Sequence, residues 1–191
     1  LGFFISDHPL NQYKLIFDQY NITSYDNFFN EKHILSSNVA CTVLKVQEKK
    51  TQKGNSYAIV KLSDLNSVFE IFVFSDVFET NRDLLKEGNS LMITLLKNFI
   101  DENKIQKKIN VKKIISLKEI LNKPIDEIKF KFNNLEELNK IKSLQKENGK
   151  TKVTFEVNEK NQIFTFELNK LRKLDYKELN SLKIKENIIK N

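Results

Sequence analysis

Ser56-Tyr57-Ala58-Ile59-Val60-Lys61-Leu62-Ser63, the turn Asp64-Leu65-Asn66-Ser67 and the run Val68-Phe69-Glu70-Ile71-Phe72-Val73-Phe74 decide the fold. Ala58, Val60 and Leu62 alternate with Tyr57, Ile59 and Lys61, the period of two expected of a strand. Phe69, Ile71 and Val73 alternate in the same way with Glu70, Phe72 and Phe74. Each run therefore has two distinct faces.

Upstream, residues 39–48 are rich in β-branched residues and read as a first strand. Thr51-Gln52-Lys53-Gly54-Asn55 is a turn in which Gly54 is free to take positive φ. Downstream, Ser75 is expected to cap a helix with Val77, Phe78, Leu84 and Leu85 as its apolar stripe, ended by Gly88. Residues 90–97 and 104–115 read as strands four and five, separated by a turn at 98–103. One helix between strands three and four of five is the order of the oligonucleotide-binding fold (OB-fold), a β barrel that holds its ligand near the first and fourth loops. The expected barrel domain covers residues 38–118.

Charge is sorted along this barrel. Residues 45–53 carry a net +3, residues 61–90 a net −3 and residues 97–118 a net +5. The lysines thus gather on the two mouth loops. Lys49, Lys50, Lys53, Lys97, Lys104, Lys107 and Lys108 are candidate phosphate ligands, beside a sheet face that carries Tyr57, Lys61 and Phe72. Lysines neutralise phosphates and aromatic rings stack on bases, so this pairing points to nucleic acid. Arginine is scarce, which argues against bidentate reading of base sequence.

The rest of the chain bounds the reading. Its 191 residues carry a net charge of +7 and are 40% hydrophobic, enough for packed cores and compatible with a polyanionic partner. The single cysteine, Cys41, rules out an intrachain disulfide and fits a reducing cytoplasm. No apolar run is long enough to cross a bilayer, so no membrane partner is expected. A start at Leu1 suggests a piece of a longer protein. Residues 1–37 form an aromatic lead-in expected to dock on a neighbouring domain, with a helix of about three turns after His8-Pro9. Residues 119–132 read as a linker around Pro124. Residues 133–191 read as a small α+β domain: a helix capped by Asn134 and Glu137 and ended by Gly149, a hairpin with one buried face over 153–157 and 164–168, and a last helix opened by Asp175.

Chemistry is sparse. His8 and His33 show no metal-ligand spacing, and neighbouring Ser6-Asp7-His8 cannot converge on one reacting atom. Cys41 alternates with Val39 and Val43 and reads as a buried, inert thiol. Asp101-Glu102 and Glu136-Glu137 fit a turn and a helix start. No catalytic residue, metal ligand or cofactor site is expected in this chain.

Gly2-Phe3-Phe4-Ile5-Ser6-Asp7-His8-Pro9-Leu10 resembles the Gly-x-Tyr-x-Ser-Gly-His-Pro-Leu segment of the bacterial replicative DNA polymerase III alpha subunit, with Asp7 in place of a glycine. Thr51–Asn55, Val60–Asp64, Glu70–Phe74, Phe78 and Leu84-Leu85-Lys86-Glu87-Gly88 follow in the family's order, so the likeness spans residues 1–118. It implies the non-catalytic C-terminal portion of a DNA-directed DNA polymerase, a nucleotidyltransferase whose carboxylates and Mg lie in an upstream domain. It also implies single-stranded template DNA on the barrel, the upstream polymerase domains as partners, and the clamp-loader tau subunit as a partner of the last domain. Two other readings stay open: the anticodon-binding OB domain of a class II aminoacyl-tRNA synthetase, and a purely protein-interaction module.

Overall fold

The computed structural model describes residues 8–145, 147–182, 184 and 187–190. Two compact units divide the chain, Leu1–Ile120 and Leu121–Asn191. Most of the polymerase-like segment, residues 2–7, lies outside the described residues, as do Ser6 and Asp7 of the Ser-Asp-His triplet.

In the first unit β1 (Ser36–Lys50), β2 (Ser56–Ser63), β3 (Val68–Val73), β4 (Ser90–Phe99) and β5 (Lys107–Ser116) form one antiparallel sheet in the order β3-β2-β1-β4-β5. The sheet curls until its two edge strands, β3 and β5, touch without pairing, giving the partly open barrel of the OB-fold. Its core takes Val39, Cys41 and Val43 from β1, Ala58, Val60 and Leu62 from β2, Ile71 and Val73 from β3, and Leu91, Ile93 and Leu95 from β4. The alternation read from β2 and β3 is the one that the barrel uses.

β1 breaks step once. Val43 pairs with Leu62, but Lys45 pairs with Lys61, so Leu44 is an extra residue in a β-bulge. Before it, odd-numbered residues face the core. After it Val46 does, and Lys45, Gln47 and Lys49 turn outward.

Two short helices bring aromatic rings to the core. Helix α1 (Tyr25–Asn30) is capped by Ser24 Oγ, which accepts from the Asn27 amide at 3.2 Å, and buries Phe28 completely. Helix α2 (Ser75–Thr80) buries Phe78. It is shorter than expected: Ser75 is its first residue and makes no side-chain cap, and turns fill residues 81–88. Gly88 takes φ +88 in the approach to β4, where its amide donates to the Val43 carbonyl at 2.9 Å.

The lead-in packs on the barrel itself. A 3-10 helix, Pro9–Ile16, replaces the expected three-turn helix and buries Leu10, Tyr13 and Ile16. His8 holds its start, with Nδ1 accepting from the Leu10 amide (3.1 Å) and Nε2 3.0 Å from Ser63 Oγ. Tyr25 stacks on Phe69 with centroids 3.9 Å apart, and its amide donates to Asp64 Oδ2 at 2.8 Å.

Helix α3 (Leu117–Asn122) leads into the second unit. There β6 (Glu127–Phe132), β7 (Glu147–Glu159), β8 (Gln162–Glu167) and β9 (Asn187–Lys190) form a mixed sheet ordered β8-β7-β6-β9, with β6 and β7 parallel. A 3-10 helix, Leu135–Gln145, and helix α4 (Tyr176–Leu182) complete it. Residues 119–132 are therefore no linker: Ile128, Phe130 and Phe132 of β6 are core residues, and the two phenylalanines stack with Phe155. The expected cap is present, with Asn134 Oδ1 accepting from the Glu137 amide (3.1 Å) and Glu137 Oε2 from that of Asn133 (2.9 Å). Gly149 lies in β7 and does not end the helix. The hairpin is only half as expected: Val153, Phe155 and Val157 are buried, but every residue of β8 is exposed, Phe164 and Phe166 included.

Candidate nucleic-acid interface

The bulge and the pairing register build the outward face of β1, β2 and β3. Lys45 faces Lys61, which faces Glu70; Gln47 faces Ile59, which faces Phe72; Lys49 faces Tyr57. Lys45 and Lys61 are like charges set directly opposite, with Glu70 on the far side of Lys61 as the neighbouring opposite charge. Tyr57, Phe72 and Phe74 line one open cavity of about 640 Å³ with Lys50, Thr51 and Gln52 of the first turn and Ser75 and Asp76 of α2. Phe72 is 52% and Phe74 49% exposed, although burying either ring would stabilise the fold.

The candidate lysines divide into groups. Lys49, Lys50, Lys53 and Lys61 are exposed on or beside the aromatic face. A turn fixes the loop that carries Lys53: the Gly54 amide donates to the Thr51 carbonyl and the Thr51 amide to that of Asn55, each at 2.9 Å, with Gly54 at φ +85. From the start of β5, Lys108 Nζ sits 5.8 Å from the Phe74 ring centroid, at the edge of the groove. Lys104 stands 5.9 Å over Phe99, and Lys107 stands 4.0 Å over Phe29 while donating to the Phe29 carbonyl at 2.5 Å.

Lys97 is a correction. It is 1% exposed, and its ammonium donates to the carbonyls of Phe28 (2.5 Å) and Glu31 (2.6 Å) at the end of α1. The ring of Phe28 lies 5.0 Å from Nζ. Burial first, and then the neighbouring charge of Lys107, hold the ammonium below the ordinary lysine range. Lys97 fastens α1 to the barrel and is not free for a phosphate.

Sequence reasoning passed over Lys45, Phe74 and Asp76. Phe74 shares the parity of Phe72 and could have been found from it. Lys45 is displaced to the outer face by the bulge, which alternation alone does not show. Other polar groups are committed to structure. Asp101 Oδ1 accepts from the Ile105 and Gln106 amides, both at 2.9 Å, which shapes the fourth loop. Burial, with Asp64 nearby, pushes the Cys41 thiol well above its usual range, so it stays protonated and unreactive. Among the described residues no helix is long and apolar enough to cross a membrane.

No protein-family model matches the chain. Individual proteins match part of it. A protein of Aquifex aeolicus is 35% identical over 105 residues, 54% of this chain and 8% of that protein. One from Rickettsia conorii is 30% identical over 146 residues, 75% of this chain and 12% of its own length. Both are named DNA polymerase III subunit alpha. The chain is similar to that polymerase subunit. Borreliella burgdorferi supplies another alpha subunit, 26% identical over 76% of this chain and 12% of the relative. The chain thus spans about a tenth of the length of the alpha subunits it matches.

Two solved structures also overlay on it. A replication protein A heterotrimer bound to single-stranded DNA does so with a TM-score of 0.37 at 14% identity, over 75% of this chain and 36% of that one. A mitochondrial single-stranded DNA binding protein from S. cerevisiae gives 0.33 at 12% identity, over 43% and 94%. Strand order and helix placement, rather than these overlays, define the OB-fold here.

Proposed function

We propose that this chain is the C-terminal, non-catalytic region of a bacterial replicative DNA polymerase and that its barrel binds single-stranded template DNA. Lys49, Lys50, Lys53, Lys61 and Lys108 hold backbone phosphates, and Tyr57, Phe72 and Phe74 stack bases. Lys104 and Lys107 extend the cationic track along the fourth loop. The observation that carries this reading is one open groove with three aromatic rings and two exposed lysines at its edge, Lys50 at the end of β1 and Lys108 at the start of β5. Stacking on exposed rings tolerates any base, which suits a template of arbitrary sequence. Similarity to the alpha subunits supports the polymerase setting.

Fluorescence anisotropy of the whole chain with labelled single-stranded DNA at two salt concentrations tests it. Binding that weakens with salt, and weakens again in Lys49→Ala, Lys50→Ala and Lys53→Ala, is expected. No binding at low salt, or affinity indifferent to those substitutions, defeats the reading. Tighter binding of tRNA than of single-stranded DNA would favour the anticodon-binding alternative.

The second unit is proposed to dock a protein, the clamp-loader tau subunit being the partner that the resemblance implies. Phe164 and Phe166 on edge strand β8 support that role, because exposed apolar edges invite a partner. Titration calorimetry with tau checks it, with Phe164→Ser/Phe166→Ser expected to abolish the heat.

A further inference from the structure

We propose that Asp76 makes the groove selective for bases bearing an exocyclic amine, so that this chain prefers cytosine over thymine single strands. The inference rests on the single-strand reading above and adds to it a rule for which bases fit.

Asp76 lines the same cavity as Tyr57, Phe72 and Phe74. It is exposed, and among the described residues no side-chain hydrogen bond or salt bridge engages its carboxylate. One turn further along α2, Glu79 lines an adjoining polar hollow of about 480 Å³ together with Asn55, Ser75, Asp76 and Thr80. Asp76 therefore gives the α2 side of the groove its one negative charge among the described residues, while Lys50 supplies a cation from the end of β1. A phosphate is repelled by the first and attracted by the second. That opposition sets the strand's pose: backbone along the lysines, base edges toward Asp76.

An ionised carboxylate only accepts hydrogen bonds. To a carboxylate that approaches the C5-side edge of the ring, cytosine offers the N4 amine, whereas thymine offers the O4 carbonyl there and keeps its N3–H on the far side of that oxygen. The two pyrimidines are alike in ring size, so stacking on Phe72 and Phe74 scarcely separates them. The difference falls on Asp76, which meets a donor in one case and a second acceptor in the other. For one charge-assisted contact in an open groove, the expected preference for cytosine is about three- to tenfold.

The test is competition anisotropy with oligo(dC) and oligo(dT) of equal length, near neutral pH and at low salt, on the whole chain and on Asp76→Asn. The asparagine amide both donates and accepts, so it satisfies either base. The expected result is a three- to tenfold preference for oligo(dC) that collapses to about one in Asp76→Asn, through weaker oligo(dC) and tighter oligo(dT) binding. Equal affinities, or a preference for oligo(dT), in the unaltered chain overturn the inference while leaving the single-strand reading intact. A preference that persists in Asp76→Asn removes the assignment to this residue. If neither oligonucleotide binds, the reading and the inference fall together. Asp76 is exposed, so a matching circular dichroism melt shows that the variant is folded.

Discussion

In a Lys97→Met variant the aliphatic stem stays and the ammonium goes. The carbonyls of Phe28 and Glu31 then lose donors that now stand at 2.5 and 2.6 Å. A buried acceptor left without a partner costs about 1–3 kcal/mol. The Phe28 carbonyl contact is fully buried and the Glu31 one only partly, so the second loss lies near the lower bound. Relief from desolvating a cation returns a fraction, which leaves a net loss of about 2–3 kcal/mol. The chain has no tryptophan, so urea unfolding followed by far-ultraviolet circular dichroism is the assay. The ammonium is held below the usual lysine value of 10.5, so just below that pH the unfolded chain binds the proton more tightly than the folded one. Stability of the parent chain should therefore rise with pH through that window, and the rise should vanish in the variant. DNA binding gives the contrast. Lys97→Met should leave the salt dependence of binding unchanged, while Lys53→Ala should flatten the log–log slope by about 0.7, one phosphate on a single strand. A variant of normal stability whose slope drops as in Lys53→Ala would show that Lys97 reaches solvent and that its burial under α1 is wrong.

Phe72→Ala should weaken single-strand binding by about 1–3 kcal/mol, several-fold to a hundredfold by anisotropy, with little change in melting because the ring is half exposed. Gly149→Ala would place a Cβ 1.8 Å from the backbone carbon and oxygen of Arg172, so β7 and that segment must part. A loss of about 1–3 kcal/mol or more should appear as selective protease sensitivity of the second unit. Arg82 donates to Glu48 at 2.8 Å and holds that carboxyl below the usual carboxylate range. The resulting stability is present above the unfolded carboxyl pKa and lost as pH falls through the folded one. Arg82→Met should erase that acid-side component in pH-dependent unfolding.

Much of the barrel was legible because β2 and β3 alternate without interruption, and period two survives any tertiary arrangement. Lys97 was misread although the signal was available. Leu91, Ile93 and Leu95 are core residues, and Lys97 continues their parity inward. Counting charge by loop overrode counting by face. The 75–88 helix failed for another reason: Val77, Phe78, Leu84 and Leu85 have helical spacing, but turns through Asn81 present Leu85 to the core just as well. Residues 119–132 were read through Pro124, which breaks helices but leaves a strand free to start three residues later. Phe164 and Phe166 alternate like core residues, and no sequence pattern reveals that an edge strand lies beyond whatever would cover it. The aromatic groove needed two strands and a turn brought together, so Tyr57 and Phe72 were visible one by one, Phe74 followed from the parity of Phe72, and Asp76 acquired meaning only in company.

Leu44 gives β1 something like a reading frame. Upstream of it the odd positions belong to the core, and downstream they belong to the solvent. Deleting this one half-exposed leucine would let Lys45 follow Val43 as Lys61 adjoins Leu62, a regular ladder with Lys45, Gln47 and Lys49 still outward, whereas deleting a residue elsewhere in β1 would turn part of the strand to the wrong face. Substitutions at those outward positions would barely disturb the barrel. Along the outward face of this strand, then, evolution can change letters freely but can change their number only at the bulge, so any difference in the length of β1 among functional variants should fall at Leu44.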